Sequence, residues 1–168
     1  MAGFQTKTFI KHDTYMTPKY AWENIQHLIP RDKIIWEAFY GDGKSGKYLE
    51  ELKYNVIHEP IDFFKEPPKE WDMIVSNPPF SLSKEVIHKL KEYDKPFIII
   101  MPCSKICTSY FRETFLNDRL QIVIPRKRIH FVKKDNEGNE MVSKNACNFD
   151  CFYYCWKMGF EKDIIWLE

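Results

Sequence analysis

Short apolar runs alternate with amphipathic stretches through the first two thirds of the chain. Residues 33–39 (KIIWEAF) predict a buried strand, followed by a glycine-rich turn and a helix from about Ser45 to Leu52. Residues 54–59 (YNVIHE) predict a second strand, and 72–76 (DMIVS) a third after the proline-broken segment KEPPKEW. From Ser81 to Tyr93, Leu82, Val86 and Leu90 recur at helical spacing. The run KPFIIIMP has no polar alternation, so that strand is buried on both faces. A helix from Ser104 to Asn117 and a strand at 120–125 (LQIVIP) complete this part. Strands without polar alternation, separated by helices, predict an α/β fold: a mostly parallel sheet covered on both faces.

The last third changes character. RIHFV and NFDCFYYCW predict two strands joined by the charged loop KKDNEGNEMVSK, paired as an antiparallel C-terminal hairpin. No repeat, low-complexity tract or interdomain linker interrupts the pattern, so residues 1–168 are expected to form a single domain.

Composition narrows the class. Hydrophobic residues at 44% and aromatics at 16% argue for a packed core, and a formal charge of +1 leaves room only for local charge effects. The amino-terminal stretch has no apolar core of signal-peptide length, and the longest apolar run is too short to span a bilayer. A reduced, cytoplasmic setting with free thiols is the expectation. Cys147, Cys151 and Cys155 recur at spacings of four, which in a strand places them on one face with Phe149 and Tyr153. There they read as small hydrophobes, not as a metal site, which needs a fourth ligand and tighter pairs.

The loop FYGDGKSGKY carries the first candidate chemistry. Gly41, Gly43 and Gly46 spell a dinucleotide fingerprint, and Gly41 to Lys47 begin a phosphate-binding loop. The second pattern fails at Tyr48, where a short hydroxyl must meet magnesium. Three readings stay open: a dinucleotide with Glu59 on its ribose, S-adenosylmethionine bound by the same topology, or a turn that merely connects strand to helix. Glu37 at the end of the first strand favours S-adenosylmethionine, because a carboxylate suits an ammonium and would sit badly beside a pyrophosphate.

The sharpest motif is Asn77-Pro78-Pro79-Phe80 at the end of the strand 72–76. Two prolines fix two φ angles and remove two donors, leaving a rigid edge that carries one amide and one ring. Such an edge suits an exocyclic amine on a purine. The Asn oxygen and a proline carbonyl accept both N–H hydrogens, draw the lone pair out of conjugation and stabilise the charge that builds as a methyl group arrives. Phe80 would stack on a base turned out of its helix.

NPPF resembles the catalytic tetrapeptide of the adenine-N6 amino-methyltransferases, in which Asp or Asn leads and an aromatic closes. DTYMTP (13–18) resembles the segment before their first strand, EAFYGDG their cofactor loop, DFF (62–64) their acidic-aromatic segment, and RIHFV the strand whose aromatic holds the flipped base. The chain is most similar to compact, phage-type Dam-like DNA adenine methyltransferases. That resemblance implies a Rossmann-like sheet and S-adenosylmethionine held by Tyr15, Thr17, Pro18, Glu37, Phe39, Gly41, Gly43, Glu59, Asp62 and Phe63. It implies catalysis by Asn77, Pro78, Pro79 and Phe80 on DNA more than RNA, with Phe131 against the base. The same resemblance leaves no insertion of target-recognition size between the motifs, and the short step from Glu59 to Asp62 leaves no room for a helix. Sequence choice is then expected from a second subunit, a homodimer, or the basic residues Arg126, Lys127 and Arg128, with Lys133, Lys134 and Lys144 nearby.

Overall fold

The computed structural model describes residues 15–134, 137, 139–141 and 148–168. Ten strands and four α-helices follow in order: β1 (Tyr15–Met16), α1 (Lys19–Glu23), β2 (Ile34–Trp36), α2 (Lys44–Glu51), β3 (Asn55–Ile57), β4 (Met73–Ser76), α3 (Ser83–Tyr93), β5 (Phe97–Pro102), α4 (Ser109–Phe115), β6 (Leu120–Ile124), β7 (Val132–Lys134), β8 (Glu140–Met141), β9 (Cys151–Trp156) and β10 (Ile164–Trp166). Seven strands form the main sheet in the order β10-β6-β9-β5-β4-β2-β3. β3, β2, β4 and β5 are parallel to one another, and β9 runs antiparallel between β5 and β6.

Period-two alternation sorts the core into two layers. Ile35, Val75, Ile98, Ile100, Tyr153 and Cys155 face one layer, which Trp22 of α1 and Leu49 of α2 close. Trp36, Ile74, Phe97, Ile99, Tyr154 and Trp156 face the other, closed by Val86, Ile87 and Leu90 of α3 and Phe111 and Phe115 of α4. All six residues of β5 are buried, as its unbroken apolar run requires. The Tyr153 hydroxyl donates to the Ala21 carbonyl at 2.5 Å, which gives the buried phenol a partner and ties α1 to β9.

Two expectations are corrected. The predicted C-terminal hairpin does not form: β7 pairs with β1 and β8 in a separate three-stranded sheet, while β9 inserts into the main sheet. The predicted helix at 104–117 is split. Residues 103–107 form a 3₁₀ turn, and α4 starts afresh where the Thr108 side chain accepts from the Phe111 amide. β10, parallel to β6 at the sheet edge, was not anticipated. Between Ile57 and Met73 the chain makes turns without a helix, as the short Glu59–Asp62 step implied. Cys151 and Cys155 are buried on one face of β9, whereas Cys147, Lys144 and residues 13 and 14 lie outside the described residues. No helix among the described residues is long and apolar enough to cross a membrane.

Candidate active site

The parallel order reverses between β2 and β4, since β3 lies beyond one of them and β5 beyond the other. Open α/β sheets bind ligands at the carboxyl ends on either side of such a reversal. Here those two ends deliver the glycine loop and Asn77.

Glu37 follows β2 and is buried, at 1% exposure. It accepts from the Ser76 hydroxyl of β4 and from the Phe39 amide at 3.3 Å. The Phe39 amide also reaches Ser76 Oγ, and Trp22 Nε1 donates to Ser45 Oγ at 2.9 Å beside them. Burial pushes the Glu37 carboxyl up to about 7, against the lowering effect of these donors. The Asp42 carboxylate repels the ionised form and raises it further.

The loop after Glu37 is shaped by glycine where glycine is needed. Gly41 and Gly43 have φ of 60° and 81°, and a Cβ on Gly43 would come within 2.8 Å of the Tyr40 hydroxyl. Gly43 caps α2, and Asp42 Oδ1 accepts from the Lys44 amide, so the helix begins with its amides held in a tight turn. Gly46 serves packing: a Cβ there would lie 2.2 Å from the His58 ring. His58 stacks on Tyr40 and bonds Glu50, which fixes the end of β3 against α2.

At the corner beyond β3, Asp62 Oδ1 accepts from the Phe64 amide, and Glu59 is exposed. The Phe63 ring is fully buried against Trp36, Phe39 and Tyr93. The rings that keep some exposure at this corner are Phe39 and Phe64. Thr17 is buried and Pro18 caps α1, both immediately after β1.

Asn77 is held from one side. Its Nδ2 donates to the Tyr15 carbonyl at 3.0 Å, which fixes the amide orientation, and its Oδ1 is buried with no hydrogen-bond partner. Pro78 is buried, Pro79 is extended at φ −63° and ψ 126°, and Phe80 opens a 3₁₀ turn that Ser83 Oγ ties back through the Phe80 carbonyl at 2.6 Å. Around this amide stand four rings. Tyr15 stacks on Phe80 at 5.8 Å, and Phe131 meets them edge-on at 5.9 Å each. Phe149 joins at 5.5 Å from Tyr15 and 5.6 Å from Phe80. A rigid acceptor beside a cluster of rings suits a planar, amine-bearing ligand.

Phe149 was not among the predicted site residues. Its signal was faint, an aromatic just before β9 with no motif around it. The basic turn divides: Arg126 and Lys127 are exposed, whereas Arg128 is clasped by Asp150 at 2.9 and 3.0 Å. That pair holds the Asp150 carboxyl below its usual range and leaves Arg128 bound to the protein itself.

Residues 46–146 match the family described as adenine-specific methyltransferase EcoRI. The type II methyltransferase M.EcoRI of Escherichia coli is 27% identical over 168 residues, covering 89% of this chain and 46% of that protein. The chain therefore spans about half the length of this curated relative, and the phage-type detail of the sequence resemblance is not carried by the match. Among solved structures, a precorrin-6y C5,15-methyltransferase from Geobacter metallireducens is similar at a TM-score of 0.47 and 12% identity, covering 88% of this chain and 96% of that one. A dimethyladenosine transferase from Plasmodium falciparum gives a TM-score of 0.47 at 12% identity, over 84% of this chain and 62% of that one.

Proposed function

We infer, from a chain that belongs to the EcoRI adenine-specific methyltransferase family, that it methylates the exocyclic N6 amine of adenine in DNA. The observation that carries this reading is the orphaned Asn77 Oδ1, buried and fixed, beside the rings of Tyr15, Phe80, Phe131 and Phe149. A buried acceptor without a partner costs about 1–3 kcal/mol, so a ligand N–H that meets it recovers stability that the free protein lacks.

The residues fit S-adenosylmethionine as donor. Gly41 and Gly43 leave a backbone cradle at the reversal of the sheet, and the buried Glu37 carboxyl behind it suits an ammonium. Thr17, Pro18 and Glu37 would hold the methionine end, and Glu59 and Asp62 the ribose. Phe39 and Phe64 would flank the adenine in place of the buried Phe63. When bound, S-adenosylmethionine supplies an electrophilic methyl group on a sulfonium.

The protein's own part is to bind and orient. A target adenine turned out of the duplex stacks on the partly exposed Tyr15 ring, which the buried rings of Phe80 and Phe131 back. Asn77 Oδ1 accepts one N6–H, and the Pro78 carbonyl accepts the other, which localises the nitrogen lone pair for attack. Positive charge that builds on N6 is met by the same two oxygens. The nitrogen then releases one proton to solvent, so no side-chain base is required. Under this reading a second copy of the chain or a specificity subunit contributes to target choice, which sedimentation with duplex DNA tests.

Labelled methyl transfer to unmethylated duplex DNA, single-stranded DNA and RNA, with nucleoside analysis, tests the reaction. N6-methyladenine in DNA is expected, and Asn77→Ala should lower the rate by about 10²–10³-fold. Methylation confined to RNA, or at an amine other than N6, would overturn the substrate assigned here.

A further inference from the structure

β6 and β10 run parallel to β5, so their carboxyl ends emerge on the same edge as Asn77. β6 leads into the basic turn at 126–130, and β10 ends at Trp166. Between them and α1 lies a groove of about 900 Å³. Arg126, Lys127 and Arg128 line it together with His27, His130 and Trp166, and Glu168 is the one acidic lining residue. The Arg128–Asp150 clasp stiffens the turn, and the Tyr20 hydroxyl accepts from the His130 amide at 2.7 Å. Arg126 and Lys127 thus stand on a fixed backbone with no ion pair among the described residues. Trp166 is 72% exposed, an unusual place for so large an apolar ring.

The groove is also close to the base pocket along the chain. Phe131 lies four positions beyond Lys127, and four extended residues reach at most ~14 Å. Measured along the axis of a duplex, that distance spans about four nucleotides of one strand at ~3.4 Å of rise each. We propose that this groove binds the nucleotides flanking the target base, with phosphates on Arg126 and Lys127 and an unpaired base stacked on Trp166. Cations beside an exposed aromatic ring are the arrangement that grips single-stranded nucleic acid. The proposal rests on nucleic acid being the substrate, and does not depend on methyl transfer.

The test is oligo-dT binding to the full chain carrying Asn77→Ala, without methyl donor, followed by anisotropy and tryptophan quenching. This probe holds no adenine, so a failure of the methylation reading leaves the measurement intact. Trp166→Ala should weaken binding about 5- to 150-fold and remove most of the quenching, and Trp166→Phe should restore the affinity. Joint replacement of Arg126 and Lys127 by Ala should lower the slope of log affinity against log salt by about 1.4. Unchanged affinity in Trp166→Ala would overturn the proposal. A change in sedimentation with no change in oligonucleotide binding would do the same, and would assign the Trp166 face to protein contact instead.

Discussion

At Asn77 the donor half of the amide is occupied and the acceptor half is open, and this asymmetry sets what substitutions can do. Asn77→Asp keeps an oxygen toward the ligand but turns a second oxygen toward the Tyr15 carbonyl, 3.0 Å from the present Nδ2. Two acceptors then face each other and the carbonyl loses its donor, so the variant should unfold ~1–3 kcal/mol more easily in urea. Glu37 makes the complementary prediction. Its folded carboxyl is raised to about 7 from an ordinary 4.5, so the folded state holds a proton that the unfolded state releases between those values. Stability from this group is therefore complete below about pH 4.5 and is lost as pH rises through 7, amounting to about 3 kcal/mol. Glu37→Gln should flatten that part of a pH–stability curve measured by denaturant. A ligand ammonium favours the ionised form, so donor affinity should rise between pH 5.5 and 7 in the parent and stay level in Glu37→Gln, read by calorimetry.

Elements here are positioned by single contacts as much as by pattern. Gly46 sits inside α2, where Ala would ordinarily gain ~0.5–1 kcal/mol of helix propensity. The His58 Cβ and Cγ would lie 2.4 and 2.2 Å from the new methyl, and these atoms cannot swing aside as a flexible tip would. Overpacking of this kind costs ~1–3 kcal/mol, so Gly46→Ala should lower the melting temperature, and adding His58→Ala should recover part of the loss. Much of the element order was legible in sequence, because β5 is an unbroken apolar run, β4 is apolar up to Ser76, and α3 shows clean helical spacing. Local pattern does not record partners. Nothing in RIHFV says that β7 pairs with β1, more than a hundred positions earlier, and β10 is three residues with two exposed, too short for a periodic signal. Asn77 and the glycine loop were readable because rigid chemistry needs particular residue types. Phe149 was not, since any aromatic fills such a place.

For the molecule as a whole, burial divides the cysteines. Cys107 is exposed and Cys103 partly so, while Cys151 and Cys155 lie inside the sheet, where burial raises the Cys155 thiol far above its usual range. Thiol labelling of the native protein, mapped by mass spectrometry, should modify Cys107 first and Cys103 more slowly. Cys151 and Cys155 should react only once denaturant is added. Because the sheet lies between the two core layers, β9 contributes to both, through Tyr153 and Cys155 on one side and Tyr154 and Trp156 on the other. Yet β9 is made after both of the strands it joins. On a ribosome adding ~5–20 residues per second, a few seconds pass between the emergence of Ile124 and that of Trp156. Through that interval β5 and β6 each present an unpaired, strongly apolar edge to the surrounding solution. A nascent chain stalled in that window is the form most exposed to capture by chaperones or to aggregation, and the same interior that makes the folded chain rigid makes its synthesis the fragile moment.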